Sequence, residues 1–316
     1  MNKCPITYQE CEKRFSQSGL NLLSKKLDHL KDIPFTAEAL RREAITRSSK
    51  MSVQGVQSKL SAVLNIKKSV FEIVDTAGRY ILKPQSHLHR ELPENEDLSM
   101  HLAKEIGIEV PVHGLVYASD GSPIYFIKRF DRKANNTKYH VEDFAQLAGE
   151  TRDTKYNYSM EKLVPIIENH CTVPVIEKAE LFKRTIFNFL IGNEDMHLKN
   201  FSLIIRGELI KLAPAYDFLN TTIALENPKE ELALPLKGKK SGITKNILLE
   251  YWAKDRLRLE QKAITSIMDS IEKKLVNWNR WISSSFLSNE MKKSYTTIII
   301  DRAERLNIDT SAFKNT

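Results

Sequence analysis

The sequence predicts an α+β protein of two lobes, and three observations lead there. Short apolar runs separated by turn residues fill the stretch from Met51 to Phe130. Beyond Asp131 the apolar spacing turns helical for most of the remaining length. The 316 residues are also enough for two cores. A strand-rich part (1–130) joined to a helix-rich part (131–316) leaves the interval between lobes as the expected place for a ligand.

The elements follow in order. Residues 1–50 are mixed and polar, with a helix predicted over Ala37 to Ile45. LSAVLNI (60–66), VFEIV (70–74) and RYILK (79–83) read as strands. The last two are predicted to form a hairpin, because Asp75 and Gly78 supply turn chemistry. Pro93 opens a helix with acidic residues at its start, apolar Leu98, Leu102 and Ile106, and Gly107 as its stop. HGLVYA (113–118) and PIYFIKRF (123–130) return to strand. EKAELFKRTIFNFLIG is an apolar helix ended by Gly192, and FSLII (201–205) with LIKLAP (209–214) makes a tight hairpin. Ile264, Met268, Ile271, Leu275 and Trp278 form one apolar stripe, which is core rather than site.

Composition narrows the function classes. Lys plus Arg outnumber Asp plus Glu by 48 to 40, a net charge of +8 that suits polyanionic partners but is also common among intracellular proteins. No dense basic block with interleaved aromatics appears. Cys4, Cys11 and Cys171 are too few and scattered for a disulfide framework or a zinc site. The N-terminal stretch lacks a signal-peptide apolar region and no run is long enough to span a bilayer, so the expectation is a cytoplasmic protein without a membrane partner.

The chemistry concentrates in NEDMHLKN (193–200). Asp195 and Asn200 have the D-x-x-x-x-N spacing of kinase catalytic loops, and Asp217 follows after the hairpin, before Phe218 but without a succeeding glycine. Such a set can orient an attacking hydroxyl through Asp195 and hold Mg²⁺ through the oxygens of Asn200 and Asp217. His197 stands where it could meet the moving phosphate. The same residues also suit a solvated turn with Asx hydrogen bonds and a structural histidine. Lys83, at a strand end, is a candidate for pairing with ATP phosphates. Gly55 lies in a polar segment ahead of a strand, where backbone N–H groups could cradle phosphate. Neither G-x-G-x-x-G nor a Walker A sequence is present.

SVQGVQSKLS, YILKP, ENEDLSMHLAKEIGIEVPVHGLV, IKRFDR, NEDMHLKNFSL and APAYDFL, in this order over residues 50–240, resemble the HipA family of bacterial serine/threonine kinase toxins. The length and the opening NKCPITY are most similar to the HipT type of three-component HipBST systems. The resemblance implies a two-lobed, protein-kinase-like fold using ATP and Mg²⁺. Asp195 would activate the substrate hydroxyl, with Asn200 and Asp217 holding the metal and His197 near the phosphates. Lys83 would contact ATP, with Glu96 as its partner by analogy with ordinary kinases. Gln54, Gly55, Val56, Gln57, Ser58 and Lys59 would cover the phosphates. Lys128, Arg129 and Phe130 would touch adenine, and Leu198, Lys199 and Tyr216 would complete the nucleotide site. Ser52 would be the autophosphorylated serine, whose added negative charge ejects the covering loop; Ser58 is a lesser second hydroxyl. The implied substrate is an aminoacyl-tRNA synthetase, tryptophanyl before glutamyl, with HipS-like and HipB-like partners and DNA reached only through the antitoxin. Two other readings stay open: a kinase-like binding module in an antitoxin–DNA complex, and a small-molecule phosphotransferase.

Overall fold

This computed structural model describes residues 2–48, 58–133, 137–225 and 230–314. The chain divides into two units. One comprises Met1–Leu98, Pro111–Asn136 and Ser284–Leu287; the other comprises Ser99–Val110, Thr137–Ser283 and Ser288–Thr316. The division therefore departs from contiguous parts 1–130 and 131–316. The helix Leu92–Glu105 starts in one unit and ends in the other. Residues 284–287 join the first unit, where Phe286 sets its ring against Tyr8 at 5.4 Å and the Ser285 carbonyl accepts from Lys3 at 3.3 Å.

The first unit opens with a two-residue pair, β1 (Asn2–Lys3) and β2 (Glu10–Cys11), and α1 (Gln17–Leu23), capped by the Ser16 hydroxyl. Then come α2 (Ala37–Ser48), β3 (Leu60–Asn65), β4 (Val70–Ile73), β5 (Tyr80–Pro84), α3 (Leu92–Glu105), β6 (His113–Tyr117) and β7 (Pro123–Lys128). The five strands β3 to β7 form an antiparallel sheet in the order β4-β3-β5-β7-β6. Ala37, Leu40 and Ala44, one face of α2, are buried in the same core as Leu60, Ala62, Phe71, Leu82 and Phe126.

The predicted hairpin of 70–74 with 79–83 does not form. β3 lies between them, pairing Ala62 with Ile73 on one edge and Leu60 with Leu82 on the other. Both ends of the connection donate to β3, Val74 N–H to Ser61 and Arg79 N–H to Ala62, so the segment crosses β3 instead of turning back. Gly78 fits this crossing closely: a Cβ there would displace the Ser61 hydroxyl and stand 3.1 Å from the Ala62 backbone nitrogen.

The second unit carries β8 (Val141–Asp143), α4 (Phe144–Leu147), α5 (Met160–His170), α6 (Pro174–Ile191), β9 (Ser202–Arg206), β10 (Leu209–Leu212) and α7 (Thr221–Ala224). A π-helical stretch (Ile247–Arg256) follows, with α8 (Gln261–Leu275), α9 (Trp278–Ser284), α10 (Asn289–Arg305) and α11 (Ser311–Lys314). The predicted hairpin at β9 and β10 is present, and β8 extends it to three strands. Helix α6 is the central element, with Leu181, Phe182, Ile186, Phe187, Phe189 and Leu190 all fully buried. Phe187 packs on Phe218 at 5.0 Å and on Trp278 at 5.7 Å, and the buried Trp252 indole donates to Thr185 at 3.2 Å. The apolar stripe is real but spans two helices, with Met268 only half-buried. Among the described residues no helix is long and apolar enough to cross a membrane.

Candidate functional site

Lys83 sits on β5, next to the core residue Leu82 and with the sheet on both sides. The residue is 2% exposed, and its ammonium pairs at 2.5 Å with Oε1 of Glu96, which is 1% exposed on the first turns of α3. The ring of Tyr125 lies 5.5 Å from the same nitrogen. Pairing offsets the cost of burying both charges. Around it the segment Glu94 to Asp97 is entirely buried. Asp97 accepts from the Tyr8 hydroxyl at 2.9 Å and meets His113 Nδ1 at 2.8 Å. Burial pushes the Glu94 carboxyl up to about 7, with the nearby carboxylates of Glu91 and Asp97 adding to the effect.

Other first-unit candidates are less enclosed. Ser58 and Lys59 are half-buried and lead into β3. Lys128 is the exposed end of β7, Arg129 is clasped by Asp131 at 2.8 and 3.0 Å, and Phe130 is half-buried. Ser52, Gln54, Gly55, Val56 and Gln57 lie outside the described residues.

In the second unit the chain leaves α6 at Gly192, whose φ of 69° ends the helix as predicted. A Cβ there would stand 2.7 Å from the Thr222 hydroxyl. Asn193, 1% exposed, ties the loop back to the helix by donating to Asn188 Oδ1 at 2.8 Å while its own Oδ1 accepts from Asp195 N–H at 3.1 Å. Glu194 is fixed by Thr221 and Thr222. The Asp195 carbonyl accepts from His197 N–H at 2.9 Å and from the Asn200 side-chain amide at 2.8 Å. That second bond commits Asn200 Nδ2 inward and leaves its amide oxygen as the remaining acceptor.

The Asp195 side chain is about half exposed, 51%. Its Oδ1 accepts from the Tyr156 hydroxyl and lies 4.0 Å from His197 Nε2, which is itself 2.8 Å from Lys155 Nζ. Burial lowers the His197 pKa and the Lys155 charge adds to that, with Asp195 and Asp217 pulling the other way; the imidazole is neutral at pH 7. Asp217 adopts φ 57°, a left-handed conformation that aspartate tolerates better than most side-chain-bearing residues. The Tyr216 hydroxyl donates to the Lys199 carbonyl at 3.0 Å and meets Ser202 Oγ at 2.5 Å, bracing the loop from below. Leu198 is fully buried, and the Lys199 ammonium is bound to Asp143 at 3.0 Å.

Asp195, His197, Asn200, Tyr216 and Asp217 thus share one neighbourhood in the second unit, and Lys83 shares another with Glu96 in the first. Asn200 and Asp217 offer an amide and a carboxylate oxygen, the donor chemistry of a hard cation such as Mg²⁺. Sequence reasoning missed Lys155, Tyr156 and Asn193. KYN reads as a surface loop some forty residues from the residues it touches, and only the Lys-Tyr pair of long polar side chains set it apart.

Comparison with known proteins gives a family and a fold. The model of the HipA-like C-terminal domain matches residues 51–279. A presumptive kinase of Haemophilus influenzae Rd is 32% identical over 263 residues, covering 77% of this chain and 75% of that protein. The serine/threonine-protein kinase toxin HipA of Shewanella oneidensis is 26% identical over 59% of this chain and 47% of its own length. By structure, HipA in the S. oneidensis HipA–HipB–operator DNA complex matches with a TM-score of 0.70 at 22% identity, over 92% of this chain and 75% of that one. The Helicobacter pylori proinflammatory kinase CtkA matches at 0.54 and 16%, over 74% and 89%. The fold is the two-lobed kinase-like fold these proteins share.

Proposed function

The chain belongs to the HipA-like C-terminal domain family, and from that premise we propose that it is an ATP- and Mg²⁺-dependent serine/threonine kinase acting as the toxin of a toxin–antitoxin system. The observation that carries the reading is the loop itself. A side-chain bond of 2.8 Å from Asn200 to the Asp195 carbonyl ties the carboxylate proposed as base and an amide suited to Mg²⁺ into one turn, ahead of Asp217.

In the reaction Asp195 takes the proton of the attacking serine hydroxyl while that oxygen bonds to the γ-phosphorus and ADP departs. Asn200 and Asp217 would hold Mg²⁺, which neutralises phosphate charge. His197 would lie near the phosphates, and Lys83, paired with Glu96, would contact those of ATP. Phosphorylation of Ser52 would switch the enzyme off. The substrate would be an aminoacyl-tRNA synthetase, tryptophanyl before glutamyl, in the cytoplasm. The HipT type is the subtype we favour. HipS-like and HipB-like proteins would restrain it and connect it to DNA, as HipA is found with HipB and operator DNA in S. oneidensis.

Incubation with γ-labelled ATP tests this. Label should pass to Ser52 and to a synthetase, and Asp195→Ala should lower transfer by on the order of 10²- to 10⁴-fold. Undiminished transfer in that variant would remove Asp195 from the role of base.

A further inference from the structure

We propose that Lys155 and Tyr156 are positioning residues for the phosphotransfer loop, each fixing one member of the Asp195-x-His197 pair. The proposal rests on the kinase reading of Asp195 given above.

The two adjacent side chains reach the loop from a turn forty residues upstream. The Tyr156 hydroxyl donates to Asp195 Oδ1, and its ring stands edge-on to the His197 imidazole at 5.1 Å and 85°. Lys155 Nζ lies 2.8 Å from His197 Nε2, and the Lys155 carbonyl accepts from Leu198 N–H at 3.4 Å. One dipeptide therefore touches the loop at three points: the Asp195 carboxylate, the His197 ring and the Leu198 backbone amide.

Donor and acceptor rules make the arrangement specific. An ammonium can only donate, so His197 Nε2 must be the unprotonated acceptor and the ring proton must reside on Nδ1. Nδ1 is buried, with no hydrogen-bond partner among the described residues. Lys155 thus presets the tautomer, with the ring proton on the buried Nδ1 and the lone pair on Nε2, the nitrogen 4.0 Å from Asp195 Oδ1. Tyr156 acts on the carboxylate in the same manner. It occupies Oδ1 and fixes the plane of the group, leaving Oδ2 to receive the proton of an incoming hydroxyl. The carboxylate is half exposed, so the hydroxyl supplies order that full burial would supply elsewhere.

The test is kinetic and spectroscopic. Tyr156→Phe keeps the ring and removes the donor. It should lower kcat by roughly ten- to a hundredfold with KM for ATP unchanged. Lys155→Met should lower kcat similarly, and Lys155→Arg, which still donates, should recover most of it. The double variant should be no slower than the worse single one, since the two act on one unit. In ¹⁵N-histidine-labelled protein without ATP, His197 should show protonated Nδ1 and bare Nε2, a pattern lost in Lys155→Met. Three results would overturn the proposal: wild-type kcat in both single variants while Asp195→Ala is inactive, a rise in kcat for Tyr156→Phe, or phosphate found on Tyr156 after turnover. The first leaves the kinase reading standing; only activity in Asp195→Ala removes that reading itself.

Discussion

Lys83 and Asp195 are the two charged residues on which the proposed reaction rests, and the protein treats them in opposite ways. Lys83 is dry, its charge answered at 2.5 Å by a carboxylate as deeply buried as itself. Asp195 keeps half its side chain in water and is ordered by a neutral hydroxyl and by bonds to its own backbone. On the kinase reading proposed above, the difference matches what each charge would do. A cation that only has to be present can be buried once it is paired, and gains stiffness from burial. A carboxylate that must accept and release a proton has to remain reachable, so its geometry is set by hydrogen bonds instead.

That contrast can be broken at its buried end first. Glu96→Ala removes the carboxylate that answers the buried Lys83 ammonium and should cost about 3–5 kcal/mol, read as a lower midpoint in urea. Replacing both partners with Leu and Met should restore most of it. A Glu96→Ala protein as stable as wild type would show that water reaches Lys83. Glu94, two residues away, offers a smaller and pH-dependent effect. Its carboxyl is raised from 4.5 to about 7 by burial, so the native state holds a proton that the unfolded chain has released. The protonated form's contribution is complete below about pH 4.5 and is lost as pH rises through 7. Stability should fall across that window by up to about 3 kcal/mol, and Glu94→Gln should flatten the slope. At the exposed end, Lys199→Ala breaks a partly solvated pair with Asp143 and should change stability by less than about 1 kcal/mol.

The sequence showed most of what is local. The helix closed by Gly192, the β9–β10 hairpin, the strand bearing Lys83 and the Asp195–Asn200 spacing all arise within runs of a few residues, where periodicity and turn chemistry speak directly. What it did not show depends on long-range pairing. Asp75 and Gly78 look like a hairpin turn, but the segment crosses over β3 because β3 offers hydrogen bonds to both of its ends. Tyr156 carries no mark of its role, since its partner is 39 residues away. Glu96 was readable as a kinase-type partner of Lys83 only by analogy; the burial of both is a property of the packed unit.

The three tryptophans have a practical use that follows from their placement. Trp252, Trp278 and Trp281 all belong to the second unit, and the first two are fully buried. Indole emission from the unmodified protein is therefore an intrinsic optical label of that unit alone. A substitution at Glu96 or Glu94 that loosens the first unit by itself should alter the far-ultraviolet circular dichroism while leaving the emission spectrum in place. One that loosens α6 should change both together.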